Sequence, residues 1–205
     1  MATYSSLRYN FTPPDATTSA QVGAGAMKLI KSIDASSDST ISFVDGTSSV
    51  VLDNTYKTYI FVLTNIHPSA NNEWFKLYFS IDTGSNYNAT KVSAAFFARH
   101  FQDDSETSLT YDTGGDVVGT GGDPISDTGT DNDQGFSGTI WLFNPSQTTY
   151  VKHYFGTVIS DRWNDSANTN FFNGYVNSTS AVDAVQFKFD SGNIDTGNFK
   201  LYGIA

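Results

Sequence analysis

The chain of 205 residues has a net charge of −10, with only 11 Lys and Arg residues, and it contains no cysteine. Nucleic-acid backbones and anionic membranes are bound by clustered cations, so this composition argues against both as direct partners. The absence of cysteine excludes disulfides, thiolate nucleophiles and cysteine-ligated metals, while aromatic residues at 15% favour pleated, half-buried strands.

Residues 1–25 are predicted to form an extended N-terminal arm. They are rich in Ser, Thr, Ala, Gly and Pro, with Tyr4, Tyr9 and Phe11 spaced between. The arm either docks these aromatic side chains on a neighbouring subunit or is a disordered terminus. The chain does not begin with a basic segment followed by an apolar run, so we expect no signal peptide and synthesis in a cytoplasm. No apolar stretch is long enough to span a membrane.

From Met27 onward, short alternating segments separated by turn residues predict β-strands and no helix. Within them, Asp45-Gly46 is typical of a tight hairpin. This pattern predicts one all-β domain over residues 26–205, a jelly-roll-like β-sandwich of roughly ten to twelve short antiparallel strands. The predicted strands are 27–33, 40–44, 48–52, 56–64, 73–82, 92–101, 108–111, 137–143, 150–160, 170–176, 182–189 and a closing strand at 199–201.

Residues 112–135 interrupt this pattern with a Gly/Asp-rich segment that has almost no core residues. A long structureless segment in a compact domain is usually functional or disordered, so we expect an exposed loop. Its carboxylates are hard oxygen ligands suited to Ca²⁺, although the Gly-Gly-Asp pattern only partly matches a calcium-binding repeat. A Ca²⁺ site here is the weaker alternative to a solvated loop, and no other cofactor is predicted. The six carboxylates are Asp112, Asp116, Asp123, Asp127, Asp131 and Asp133.

The last twenty residues are predicted to form a hairpin that ties down the C-terminus. Val185–Phe189 and the stretch from Phe199 to Leu201 alternate at period two, with Gly and Asn between them. The alternation breaks at Gly203, which predicts that the sheet ends or bulges there and that Ile204 tucks back.

Side chains that carry chemistry are few and scattered. Glu73 and Glu106 are the candidates for a paired-carboxylate glycosidase, but nothing in the sequence brings them together. The histidines, His67, His100 and His153, show no metal-ligand spacing. Trp163 lies in a predicted loop and is the best candidate for a contact with a ligand or receptor. No catalytic residue is predicted.

Four stretches resemble virion structural proteins of tailed bacteriophages, notably marine ones. Phe61-Val-Leu-Thr-Asn-Ile-His-Pro68 is followed by Leu77-Tyr-Phe-Ser-Ile-Asp-Thr-Gly-Ser-Asn-Tyr87, and segments 134–146 and 190–204 continue the pattern. The resemblance implies a jelly-roll-like domain without enzymatic activity that is carried on the virion as a capsid decoration, tail or fibre component. It also implies a homo-oligomer, commonly a trimer, which contacts capsid or tail subunits.

The predicted function is therefore a non-enzymatic structural component of a phage virion that acts through protein–protein assembly. The alternative is a receptor- or carbohydrate-binding module at a tail tip, which would use Trp163 and the 112–135 loop.

Overall fold

The computed structural model describes residues 27–204. The predicted N-terminal arm, with Tyr4, Tyr9 and Phe11, lies outside the described residues.

Residues 27–204 form thirteen β-strands and no helix, which confirms the predicted all-β class. Accordingly, this part of the chain has no helix long and apolar enough to cross a membrane. The strands are β1 (Met27–Asp38), β2 (Ile41–Val44), β3 (Thr58–Pro68), β4 (Glu73–Ser80), β5 (Lys91–Phe101), β6 (Thr107–Tyr111), β7 (Val118–Gly119), β8 (Asp123–Thr128), β9 (Gly135–Phe143), β10 (Lys152–Asp161), β11 (Ser166–Val176), β12 (Ala184–Phe189) and β13 (Ile194–Ile204).

All strand pairs are antiparallel, and the strands divide into two sheets. The nine-stranded sheet has the order β1-β13-β3-β9-β10-β11-β5-β6, with β7 also paired to β5, and the four-stranded sheet has the order β2-β12-β4-β8. The pairing is nested: β1 pairs with β13, β2 with β12, β3 with β9 and β4 with β8. Segments that are distant in the chain are therefore neighbours in both sheets.

Five strands extend the nine-stranded sheet beyond this nested set. β5, β6 and β7 lie between β4 and β8 in the chain, and β10 and β11 lie between β9 and β12. Although they come from two separate insertions, they join one another because β11 pairs with β5, and β10 pairs with β9. The larger sheet therefore extends past the edge of the smaller one on a single side.

The core is made of aromatic side chains that meet between the two sheets, as expected of a β-sandwich. Phe61 of β3 lies 5.3 Å from Phe43 and 5.5 Å from Phe187, measured between ring centroids. Phe75 of β4 lies 4.9 Å from Phe136 of β9. These contacts explain why alternate residues of β4, Phe75, Leu77 and Phe79, are apolar, since they point towards the larger sheet.

Residues 48–52 are not a strand, contrary to the hairpin prediction. Ser48 and Ser49 have left-handed backbone conformations, with φ of 52° and 68°, which cannot continue a pleated strand. Instead, the backbone N–H of Leu52 donates a hydrogen bond to the Asp45 side chain at 2.8 Å. The Asp45-Gly46 turn thus forms a compact loop rather than a hairpin.

The segment 112–135 is only partly an exposed loop. Asp123–Thr128 forms β8, a buried edge strand of the four-stranded sheet that pairs with β4, and Val118–Gly119 pairs with β5. The prediction of one uninterrupted loop was wrong because β8 has a single large apolar side chain, Ile125. Its other side chains are mostly polar, and they are buried because hydrogen bonds and an ion pair within the protein satisfy their polar atoms.

The closing hairpin was also predicted wrongly. β12 belongs to the four-stranded sheet and β13 to the nine-stranded sheet, so residues 190–193 cross between the sheets. β13 stays paired through Ile204, where Gly203 lies opposite Tyr59 and Lys28. Glycine is needed at 203 for space rather than for a bulge, because a Cβ there would lie 2.3 Å from the Tyr56 ring.

Candidate interaction face

Trp163, the predicted contact residue, lies in the turn between β10 and β11 and is 40% exposed. The residue before it, Arg162, is buried and forms a bidentate ion pair with Asp127 of β8, whose Oδ1 accepts a hydrogen bond from Arg162 Nε at 2.7 Å. Burial raises the pKa of Asp127 to about 6, while Arg99 and a hydrogen bond from Trp163 oppose that rise. The turn is therefore held against β8, and part of the indole is left open to solvent.

A second cluster of buried polar side chains links β8 to β5 and β10, two of the five strands that extend the larger sheet. Asp123 accepts hydrogen bonds from the hydroxyl groups of Tyr154 and of Ser93, the latter at 2.9 Å. Burial raises the pKa of Asp123 and lowers the pKa of Lys91, which is also fully buried and donates to a backbone carbonyl at Gly121. These side chains satisfy one another, so their arrangement is that of a structural cluster.

The six Asp residues of the 112–135 segment do not converge on one point. Asp123 and Asp127 belong to the two buried clusters, and Asp112 accepts a hydrogen bond from the Gly114 backbone at 2.9 Å. Across residues 27–204, no group of three or more His, Asp or Glu side chains comes together as a set of metal ligands. The structure brings no calcium-binding arrangement together in this segment, and Ca²⁺ binding stays a prediction.

The other candidate residues are dispersed. Glu73 begins β4 in the four-stranded sheet, whereas Glu106 lies in the turn before β6 of the nine-stranded sheet. His100 contacts Asp104 at 3.0 Å on the surface, and His67 contacts the Asp131 carbonyl at 3.2 Å. None of these residues forms a catalytic constellation with another.

The largest unassigned feature is the surface of the nine-stranded sheet that faces away from the four-stranded sheet. We call the part of it that β3, β9, β10, β11, β5 and β6 form the outer face. It consists of every second residue, counted from the first, in segments 58–64, 92–98, 107–111, 137–143, 153–159 and 169–175. It contains no Asp, Glu, Lys or Arg. Charged residues on the same side lie at its margin, Lys200 on β13 and Asp161 at the end of β10. For a protein with a net charge of −10, such an uncharged surface across six adjacent strands is unusual.

Aromatic rings on the outer face pack against one another rather than against the core. Trp141 stacks on Phe155 with ring centroids 5.9 Å apart, and Phe143 also stacks on Phe155, at 5.8 Å. Phe96 and Phe171, which are cross-strand partners, stack at 4.9 Å. Stacked pairs of this kind stabilise neighbouring strands, but they leave the outward surfaces of the rings in water.

The four-stranded sheet shows how a solvated face of this protein looks. Its outward side chains include Lys76, which pairs with Asp190 at 2.8 Å, and Lys188, which lies 4.9 Å above the Tyr78 ring. Charged side chains thus cover the apolar surface of this sheet. Across the six strands of the outer face, the residues that define it include no charged side chain, and in this the outer face differs from the exterior of the four-stranded sheet.

The sequence carried a signal for this face that strand prediction alone did not use. Phe96-Phe97 and Phe171-Phe172 place large aromatic residues at consecutive positions, and Tyr154-Phe155 does the same. Because successive residues of a strand point to opposite faces, such pairs indicate a strand with apolar surfaces on both sides. Such pairs occur on β5, β10 and β11, which are neighbours in the sheet, and together they predict an apolar surface in addition to the core.

Comparisons with family models, curated proteins and solved structures find no match to this chain.

Proposed function

We propose that this protein is a non-enzymatic structural component of a phage virion, a capsid decoration, tail or fibre protein that acts through protein–protein assembly. The observation that carries the assembly function is the uncharged, aromatic outer face. Large exposed apolar patches on soluble domains mark surfaces that other molecules cover. The placement on a virion rests on the motif resemblance in segments 61–68, 77–87, 134–146 and 190–204.

The strand pairing supports a jelly roll as the scaffold of this function. The eight strands of the nested set form two four-stranded layers, β1-β13-β3-β9 against β2-β12-β4-β8. A ribbon of nested antiparallel pairs that is folded into two such layers is the arrangement of a jelly roll built from two Greek keys. On this interpretation the five extra strands are an elaboration that enlarges one layer and creates most of the outer face.

The test is whether the protein is found on virus particles at a fixed copy number. Purified particles from an infected culture are analysed by quantitative mass spectrometry after density-gradient centrifugation. We expect the protein to co-migrate with the major capsid protein at a constant ratio across the particle peak. Its absence from particles, or a ratio that varies across the peak, would contradict the virion assignment.

Carbohydrate binding is the second candidate function, and a surface cleft favours it. The cleft has a volume of about 590 Å³ and is lined by Asn65, His67, Asp133, Ser137 and other residues. Convergent polar side chains in a concave site are typical of ligand pockets. Trp163 does not line this cleft, so the structure separates it from the site that sugar binding would use.

A glycan array probed with the purified full-length protein distinguishes this second function. If the cleft binds a sugar, Asp133→Ala removes the signal, whereas a substitution at Trp163 leaves it unchanged. An array without signal for the wild-type protein would rule the second function out.

A further inference from the structure

We propose that the outer face is the contact surface for a second copy of this chain. The inference rests on the proposed assembly function and names the partner that this surface fits. The size of the face, its lack of charge and the side chains that it presents all fit a second copy.

The size of the outer face matches one side of a stable protein interface. Six strands about 4.8 Å apart, each contributing about seven residues, give a surface of roughly 29 by 23 Å, on the order of 650 Å². A standard interface buries roughly 600–1,000 Å² on each partner. A single extended segment is only about one strand spacing wide, roughly 5 Å. The arm of this chain could therefore cover only part of the face, whereas a second sheet could cover all of it.

The distribution of charged residues favours the outer face as the place where two copies meet. Each copy has a net charge of −10, so most approaches between two copies bring like charges together. The residues that define the outer face include neither carboxylates nor cations, and the charged residues on the same side, Asp161 and Lys200, lie at its margin. Two copies that meet there bury no ion and separate their negative surfaces, which avoids the desolvation cost of burying charge.

The exposed side chains on the face have the composition of an interface core. Ile159 is 63% exposed and Leu109 is 75% exposed, and the rings of Phe96, Phe155 and Phe171 are each more than a third exposed. Aromatic residues are enriched at the centres of interfaces, and charged residues are depleted there. Because the face is self-complementary in chemistry, apolar against apolar, the same patch can serve on both partners.

The experiment measures the mass of the full-length protein by sedimentation velocity over a range of concentrations. We expect the wild-type protein to be an oligomer that dissociates on dilution. Ile159→Asp places a like charge on both sides of the contact, and we expect it to weaken association roughly 30-fold, the effect of a hot spot of about 2 kcal/mol. The matched control is Ile81→Asp, on the turn after β4, which leaves association unchanged.

A cysteine introduced at the centre of the face gives an independent measurement, because the chain has no other cysteine. Thr157→Cys lies on β10 opposite Phe171 and Thr139. We expect maleimide to modify it slowly at oligomer-forming concentrations and faster on dilution. Ser48→Cys, in the exposed loop after β2, reacts at the same rate at both concentrations.

Three results would overturn the proposal. One is a wild-type protein that remains monomeric at all concentrations. Another is an oligomer that survives Ile159→Asp with Thr157→Cys unprotected. The third is dissociation by Tyr9→Ser/Phe11→Ser in the full-length chain, since the arm would then carry the contact. A monomer that is still found on particles refutes this inference and leaves the virion function standing, whereas an oligomer that is absent from particles does the reverse.

Discussion

Loss of the carboxylate at Asp127 is expected to be among the most destabilising single changes in the protein. Asp127 is 2% exposed, and it holds the buried guanidinium of Arg162 through two hydrogen bonds. Asp127→Asn keeps the shape of the side chain but leaves a buried cation without its counter-ion. Breaking a buried pair from one side costs about 3–5 kcal/mol, a large part of the roughly 5–15 kcal/mol that stabilises a typical domain.

The free energy of unfolding is measured at neutral pH by urea denaturation. The control is Asp190→Asn, which removes the surface partner of Lys76 and is expected to cost at most about 1 kcal/mol. The double variant Asp127→Asn/Arg162→Met removes the orphaned cation as well and should recover much of the loss. The reasoning is refuted if Asp127→Asn destabilises the protein no more than the Asp190 control does.

Three further predictions concern the core, the last strand and the alkaline limit. Phe75→Ala empties the centre of the aromatic core and should cost about 3–5 kcal/mol in urea denaturation; a loss below about 1 kcal/mol would contradict the packing described for it. Gly203→Ala should cost about 1–3 kcal/mol because its Cβ overlaps the Tyr56 ring, and a Gly203→Ala protein of wild-type stability would place that ring elsewhere. Burial raises the pKa of Tyr59 to about 12, so the folded state keeps a proton that the unfolded state releases above pH 10, and stability falls as pH rises through the interval from 10 to 12. Tyr59→Phe should lose less stability over that interval than the wild type does, whereas parallel pH profiles would contradict the shift.

Local alternation was a reliable guide wherever one face of a strand is apolar. β4 was predicted over residues 73–82, and the structure has it at Glu73–Ser80. The prediction succeeded because Phe75, Leu77 and Phe79 all point into the core. β8 escaped prediction because it replaces apolar packing with hydrogen bonds from side chains that are distant in the chain. The buried carboxylate of Asp123 accepts a hydrogen bond from Tyr154, which is 31 residues away in the chain. No residue pattern within β8 indicates that this partner exists.

The candidate site was predicted less well than the fold. Trp163 was correctly placed in a loop with an exposed ring, but its role in binding stays a prediction. The outer face was missed because it is the sum of six strands, and each of them contributes only three or four side chains to it. Consecutive aromatic residues such as Phe171-Phe172 are the local trace of that surface, and strand prediction assigns only one of the two to the core.

The sequence by itself determined that this protein is built from strands, because period-two alternation and turn residues are local properties of the chain. Its composition also determined that the protein has a strongly negative net charge. Only the tertiary structure decided which strands share a sheet, since hydrogen bonding between strands depends on contacts such as β1 with β13, from opposite ends of the described residues. It also decided that two separate insertions would meet at one edge, and their union produces the uncharged outer face.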